Sequence, residues 1–183
     1  MLTEQSPEIA AARSAHYTAA QAVAYIAHGV RFRFITLQPI GQPGVTSELA
    51  VDEPLAMAIE TAAIISVAGP AAEAHYLTTA CGWRAAQAWA HVVVSGAGDE
   101  DLVFYDTADA IPRAQHFVDQ RWTDITAVAH FLLTSQTLTC KQVCAAIGSP
   151  MPSSTPDTTV AFPLRRNSPM VVRGSGSPSA TAD

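Results

Sequence analysis

Ser14-Ala15-His16-Tyr17-Thr18-Ala19-Ala20-Gln21-Ala22-Val23-Ala24-Tyr25-Ile26-Ala27-His28 reads as a helix. Ser14 is suited to cap its start, and no Gly or Pro interrupts it. Ala15, Ala19, Ala22, Val23 and Ile26 recur at helical spacing and form the face to be buried. Gly29 then supplies a stop, because glycine adopts the left-handed conformation that follows a helix end. Residues 1–13 read as a leader that turns helical from Pro7 onward.

Downstream of Gly29, Arg31 and Arg33 alternate with Phe32, Phe34 and Ile35, a strand pattern of period two running to Pro39. Pro39, Gly41, Pro43 and Gly44 break it into a loop extending to about residue 51. Asp52 or Glu53 with Pro54 opens an apolar, central helix over Leu55–Val67, interrupted at Gly69-Pro70 and resumed over Ala71–Leu77. Cys81-Gly82 is a turn. Trp83–Val94 reads as helix with Trp83, Ala86, Trp89 or Ala90, and Val93 on one side. Ser95 to Asp101 is a loop that places acids before the next helix. Residues 102–119 are helical by composition, and Pro112 should kink or split that segment. A further helix starts at Thr123 or Asp124, with Ile125, Val128, Ala129, Leu132 and Leu133 as its apolar stripe. Thr139 caps a last helix, Cys140–Ile147, stopped by Gly148.

Composition bounds the function. At 183 residues, 49% apolar and 14% charged, the chain has the length and balance for one real core. A net charge of -6 without a local basic patch argues against nucleic acid as partner. The acidic N-terminus lacks signal-peptide features, and Glu60, Gly69 and Pro70 interrupt the most apolar stretch, so no membrane span is expected. The odd cysteine count does not suggest a disulfide framework; Cys140 and Cys144 read as buried thiols, and a cytoplasmic location fits. Six of the twelve prolines fall in 149–183, which reads as a disordered Pro/Ser/Thr-rich tail after a helical domain at 1–148. The class is mainly α with a small β-sheet, an α+β fold.

Four elements together resemble the peptidase M41 family, the zinc protease domain of FtsH-type ATP-dependent metalloproteases. His16-Tyr17-Thr18-Ala19-Ala20-Gln21-Ala22-Val23 matches the family's zinc helix, an aromatic residue followed by His-Glu-x-Gly-His-Ala-Val. The strand and loop after Gly29, the Ala68-Gly69-Pro70-Ala71-Ala72-Glu73 element and the loop Gly96-Ala97-Gly98-Asp99-Glu100-Asp101-Leu102 follow in the family's order. The resemblance covers residues 10–148. It implies an M41 metallopeptidase-like helical domain whose first zinc His is replaced by Tyr17, catalytic Glu by Thr18 and second His by Gln21; Asp101 keeps the third-ligand position.

Catalytic zinc takes about three protein ligands and an open position for water. Gln21 is a poor ligand, Tyr17 is a poorer one at neutral pH, and Thr18 cannot act as the base that activates water. His16 is rotated about 100° around the helix from the family's His, and His28 lies about 18 Å further along the axis. His75 or His91 with Asp101 and Glu73 is the remaining metal candidate. The expectation is a proteolytically inactive pseudoenzyme, without a cofactor, acting as a binding or regulatory module. Its protein or small-molecule ligand is unknown. The alternatives are an enzyme using the remodelled cleft on a small molecule through His16, Tyr17, Gln21, His28 and Asp101, or a zinc metallopeptidase with non-standard ligands. An unrelated helical domain stands beside them. Catalysis therefore stays open at this point. No phosphate-binding Gly-x-x-x-x-Gly-Lys-Ser/Thr loop occurs, so the chain carries no ATPase module, and Phe162-Pro163-Leu164-Arg165-Arg166 is either a docking motif or plain tail.

Overall fold

The computed structural model describes residues 6–37, 48–51, 58–96 and 109–153. Five helices and a three-stranded antiparallel sheet make up these residues. They are α1 (Pro7–Ala27), β1 (Phe34–Thr36), β2 (Glu48–Ala50), α2 (Ile59–Thr79), α3 (Ala85–Gly96), α4 (Ala110–Ser135), β3 (Thr137–Thr139) and α5 (Cys140–Ala146). Helices α1, α2 and α4 pack on one another as a three-helix core, and α3 lies on α2. The predicted class, mainly α with a small sheet, is what the chain adopts.

Helix α1 begins a full two turns before Ser14. Pro7, with its φ preset for the first helical position, follows Ser6 as N-cap. Ser14 is therefore a mid-helix residue and caps nothing. The predicted face is buried: Ala15, Ala19 and Ala22 are sealed from solvent, with Val23 and Ile26 beside them. At the other end, the N–H of Gly29 donates to the Ile26 carbonyl and that of Val30 to the Tyr25 carbonyl. That pairing needs a left-handed residue between them, and Gly29 has φ +73°. Helix α5 closes in the same way: Gly148 at φ +63°, and Ser149 N–H to the Cys144 carbonyl. Its start carries a reciprocal cap between Thr139 and Gln142.

Helix continuity differs from the sequence expectations. Helix α2 runs unbroken through Gly69-Pro70. A proline clashes with the Cβ of the residue before it, and Gly69 has none, so the helix continues, buried on almost every side. Pro112 is the third residue of α4, where the first-turn N–H groups lack helical partners anyway, so α4 is not kinked there, while residues 102–108 of the expected segment lie outside the described residues. Nor does a new helix start at Thr123 or Asp124. Asp124 Oδ2 instead lies 3.1 Å from Arg121 Nε, an ion pair within a continuous α4. Helix α4 ends at Gln136, a non-glycine residue at φ +62°.

The sheet has the order β2-β1-β3. Leu49, Ile35 and Leu138 are cross-strand partners in one row, with Ile35 fully buried, so this row turns the sheet's apolar face inward. Strand β2 replaces the end of the loop expected to run to about residue 51, and β3 precedes the Thr139 cap; each is three residues long, too short for a period-two pattern to register. On α3 the buried residues are Ala88 and Val92, packed with Trp83 and Trp89, rather than Ala86 or Ala90. Cys140 and Cys144 are both buried free thiols, as predicted. Their apolar surroundings push the Cys144 thiol up to about 11, with Cys140 adding to the rise. Among the described residues no helix is long and apolar enough to cross a membrane. The predicted helix start at 52–55, the loop at 97–101 and the tail from residue 154 lie outside the described residues.

Candidate functional site

The polar and aromatic side chains gather where α1, α2 and α4 meet. His16 of α1 stacks between Tyr76 of α2 and Trp122 of α4, with ring centroids 4.6 and 5.2 Å away. Trp122 in turn meets the ring of His75 at 4.2 Å. His16 is buried, and its Nδ1 lies 2.8 Å from the Ala12 carbonyl oxygen, one turn back. A carbonyl only accepts, so the proton sits on Nδ1. His75 Nδ1 lies 3.1 Å from Asp119 Oδ1 of α4, a contact that ties the two helices at the edge of the ring layer.

Burial lowers the His16 pKa below the ordinary value of 6.5; the Ala12 bond opposes this, and the fields of His130 and His75 reinforce it. Above pH 6.5 both folded and unfolded chains hold this imidazole neutral. As pH falls through 6.5 the unfolded chain takes up a proton that the folded chain resists, so stability is lost between there and the lower folded value. Each unit of lowering corresponds to about 1.4 kcal/mol. Urea midpoints at pH 7.5 and 5 should therefore drop for the native chain, and drop less in His16→Phe, which keeps a flat ring between Tyr76 and Trp122.

The three positions at the heart of the peptidase resemblance go to different places. The Tyr17 ring lies on Gly69 of α2: a methyl group there would sit 2.9 Å from its ring carbons. Thr18 is 1% exposed, and its hydroxyl has no hydrogen-bond partner among the described residues. Gln21 is half-buried. One turn on, Tyr25 packs edge-on against Phe32, and burial pushes its phenol up to about 12. His28 is exposed at the end of α1 and faces the Phe117 ring at 6.4 Å; partial burial, then Arg113, lower its pKa. Asp101 lies outside the described residues. Among the described residues, no three His, Cys, Asp or Glu side chains stand together to hold a metal ion.

The remaining metal candidates are engaged elsewhere. Glu73 accepts from Arg13 Nε at 2.8 Å and from Arg13 Nη2, joining α2 to α1. The same Nη2 donates to His91 Nε2 of α3 at 2.9 Å, and the His91 ring sits edge-on to Trp83. Glu73, the last residue of the Ala-Gly-Pro-Ala-Ala-Glu element, is thus a structural tie between three helices. His75 and His91 face different partners.

Beside the ring layer, α2, α3 and α4 leave a half-open cleft of about 240 Å³. Ala71, Ala74 and Val118 give it an apolar floor, Trp89 a wall, and His75 and Asp119 a polar rim. Sequence reading found His16 and His75 but missed Tyr76, Asp119, Trp122 and Arg13. Their partners lie on other helices, and no local spacing encodes such contacts. No protein-family profile matches the chain, and no curated protein matches it.

Proposed function

We propose that the chain is an M41-like helical scaffold that no longer cleaves peptides and serves as a binding module. The observation that carries this reading is the burial of Thr18, at the position where the resemblance puts the catalytic glutamate. A group there has no access to a water molecule that it would have to activate. Two features add support: the order of α1, the strand pair and α2, and Glu73 in its tie to Arg13 at the end of the Ala-Gly-Pro-Ala-Ala-Glu element. A cytoplasmic location and an unidentified protein or small-molecule ligand belong to the same proposal. Metal analysis of untagged protein purified without chelator should give less than about a tenth of an equivalent of zinc. Casein should stay intact. Near-stoichiometric zinc with casein cleavage would overturn the proposal. A second reading, a small-molecule site, is favoured by the cleft beside His75 and Asp119.

A further inference from the structure

Neither Tyr17, Thr18 nor Gln21 lines the cleft between α2, α3 and α4, so its chemistry is independent of any likeness to a peptidase. Its polar groups are lopsided. Among the described residues on the lining, Asp119 is the only carboxylate, and no Lys or Arg joins it. His75 Nδ1, 3.1 Å from Oδ1, holds the Asp119 carboxylate at the edge of the cleft. The hydroxyls of Thr78 and Thr79 donate to the carbonyls of Ala74 and His75, so they meet a ligand with lone pairs only. Gln115 brings donors and an acceptor alike, so among the described lining residues Asp119 alone carries a fixed charge. Opposite them stand the apolar floor and the Trp89 indole, a surface that favours hydrocarbon and tolerates a nearby cation. An anion would meet the Asp119 carboxylate, with no Lys or Arg on the described lining to hold it.

We propose that this cleft binds a small organic cation, a protonated primary amine on an aromatic or aliphatic body, with the ammonium on Asp119 and the body against Trp89, Ala71 and Ala74. At about 240 Å³ it is below the range of drug-sized pockets, which suits a ligand of about ten non-hydrogen atoms. A ligand of that size reaches a Kd on the order of 1 mM or somewhat tighter.

The test titrates the full chain at pH 7.5 with 2-phenylethylamine and, separately, with its uncharged counterpart 2-phenylethanol. The indole N–H signal of Trp89, identified by its loss in Trp89→Phe, is followed by NMR. The amine should give a saturating shift, at least about tenfold tighter than the alcohol. Asp119→Asn should remove that preference. Asp119 is 64% exposed, so this variant keeps the fold. Ala85→Leu, which fills the cleft from the exposed first residue of α3 and leaves Asp119 intact, should abolish saturation. Equal affinity for amine and alcohol, or a shift that stays linear to about 20 mM amine, overturns the proposal. Zinc content and casein cleavage are unaffected by either result, so the two proposals fail separately.

Discussion

Thr18→Glu should cost on the order of 5 kcal/mol and leave much of the chain unfolded at room temperature. Thr18 is sealed among the alanines of α1, with Ala15, Ala19 and Ala22 all fully buried beside it. The longer side chain must be accommodated by displacement, at about 1–3 kcal/mol. Its carboxylate then has no partner, and an uncompensated buried charge costs several kcal/mol more. A domain of this size has about 5–15 kcal/mol to lose. Thr18→Val separates volume from chemistry. It keeps the branched shape and removes a hydroxyl that has no partner among the described residues, so it should raise stability by about 1 kcal/mol. Urea unfolding followed by far-UV circular dichroism reads both. A Thr18→Glu chain as stable as the native one would show that position 18 reaches water and has room for a catalytic carboxylate. Rebuilding His-Glu-x-x-His into α1 would meet the same obstacle.

Glu73→Ala should cost about 3 kcal/mol, because it strands the Arg13 guanidinium in a partly buried position beside His91. The Arg13 and Glu73 side chains are only 18% and 13% exposed, so water makes up little of the loss. For a chain of this length that corresponds to a fall in Tm of about 10 °C. Replacing both, Arg13→Met with Glu73→Leu, should cost clearly less than Glu73→Ala alone, because no charge is left unpaired. Thermal scans of the two variants settle it: equal losses would mean that the residue supports the helix contact by its bulk rather than its charge.

What could be read from the chain was local. The alanine face of α1, the Ile125–Leu132 stripe of α4, the Thr139 cap and the glycine stops at 29 and 148 each depend on residues within a turn or two. What could not be read was set by packing. Gly69-Pro70 carries the signature of a break, yet three-helix burial and the missing Cβ hold α2 continuous. Thr123-Asp124 has the look of a helix start, but Asp124 is spent on Arg121. The candidate site shows the same division. His16 and Glu73 were recognisable as polar residues in apolar helices. That one is held by Tyr76 and Trp122 and the other by Arg13 follows only from how the helices cross.

The sheet also dictates an order of events. Thr36 and Thr137 bond side chain to side chain across 101 residues, and the Thr36 hydroxyl also donates to the Gln136 carbonyl. Closing a loop of that length costs entropy, which disfavours early pairing of β1 with β3. Helices α1, α2 and α4 must first come together to bring the two strands within reach. During synthesis, Ile35 waits without its Leu138 neighbour until residue 139 has left the ribosome. The small sheet then works as a clasp, fastened last, and the growing chain is most vulnerable to wrong partners in the interval before it closes.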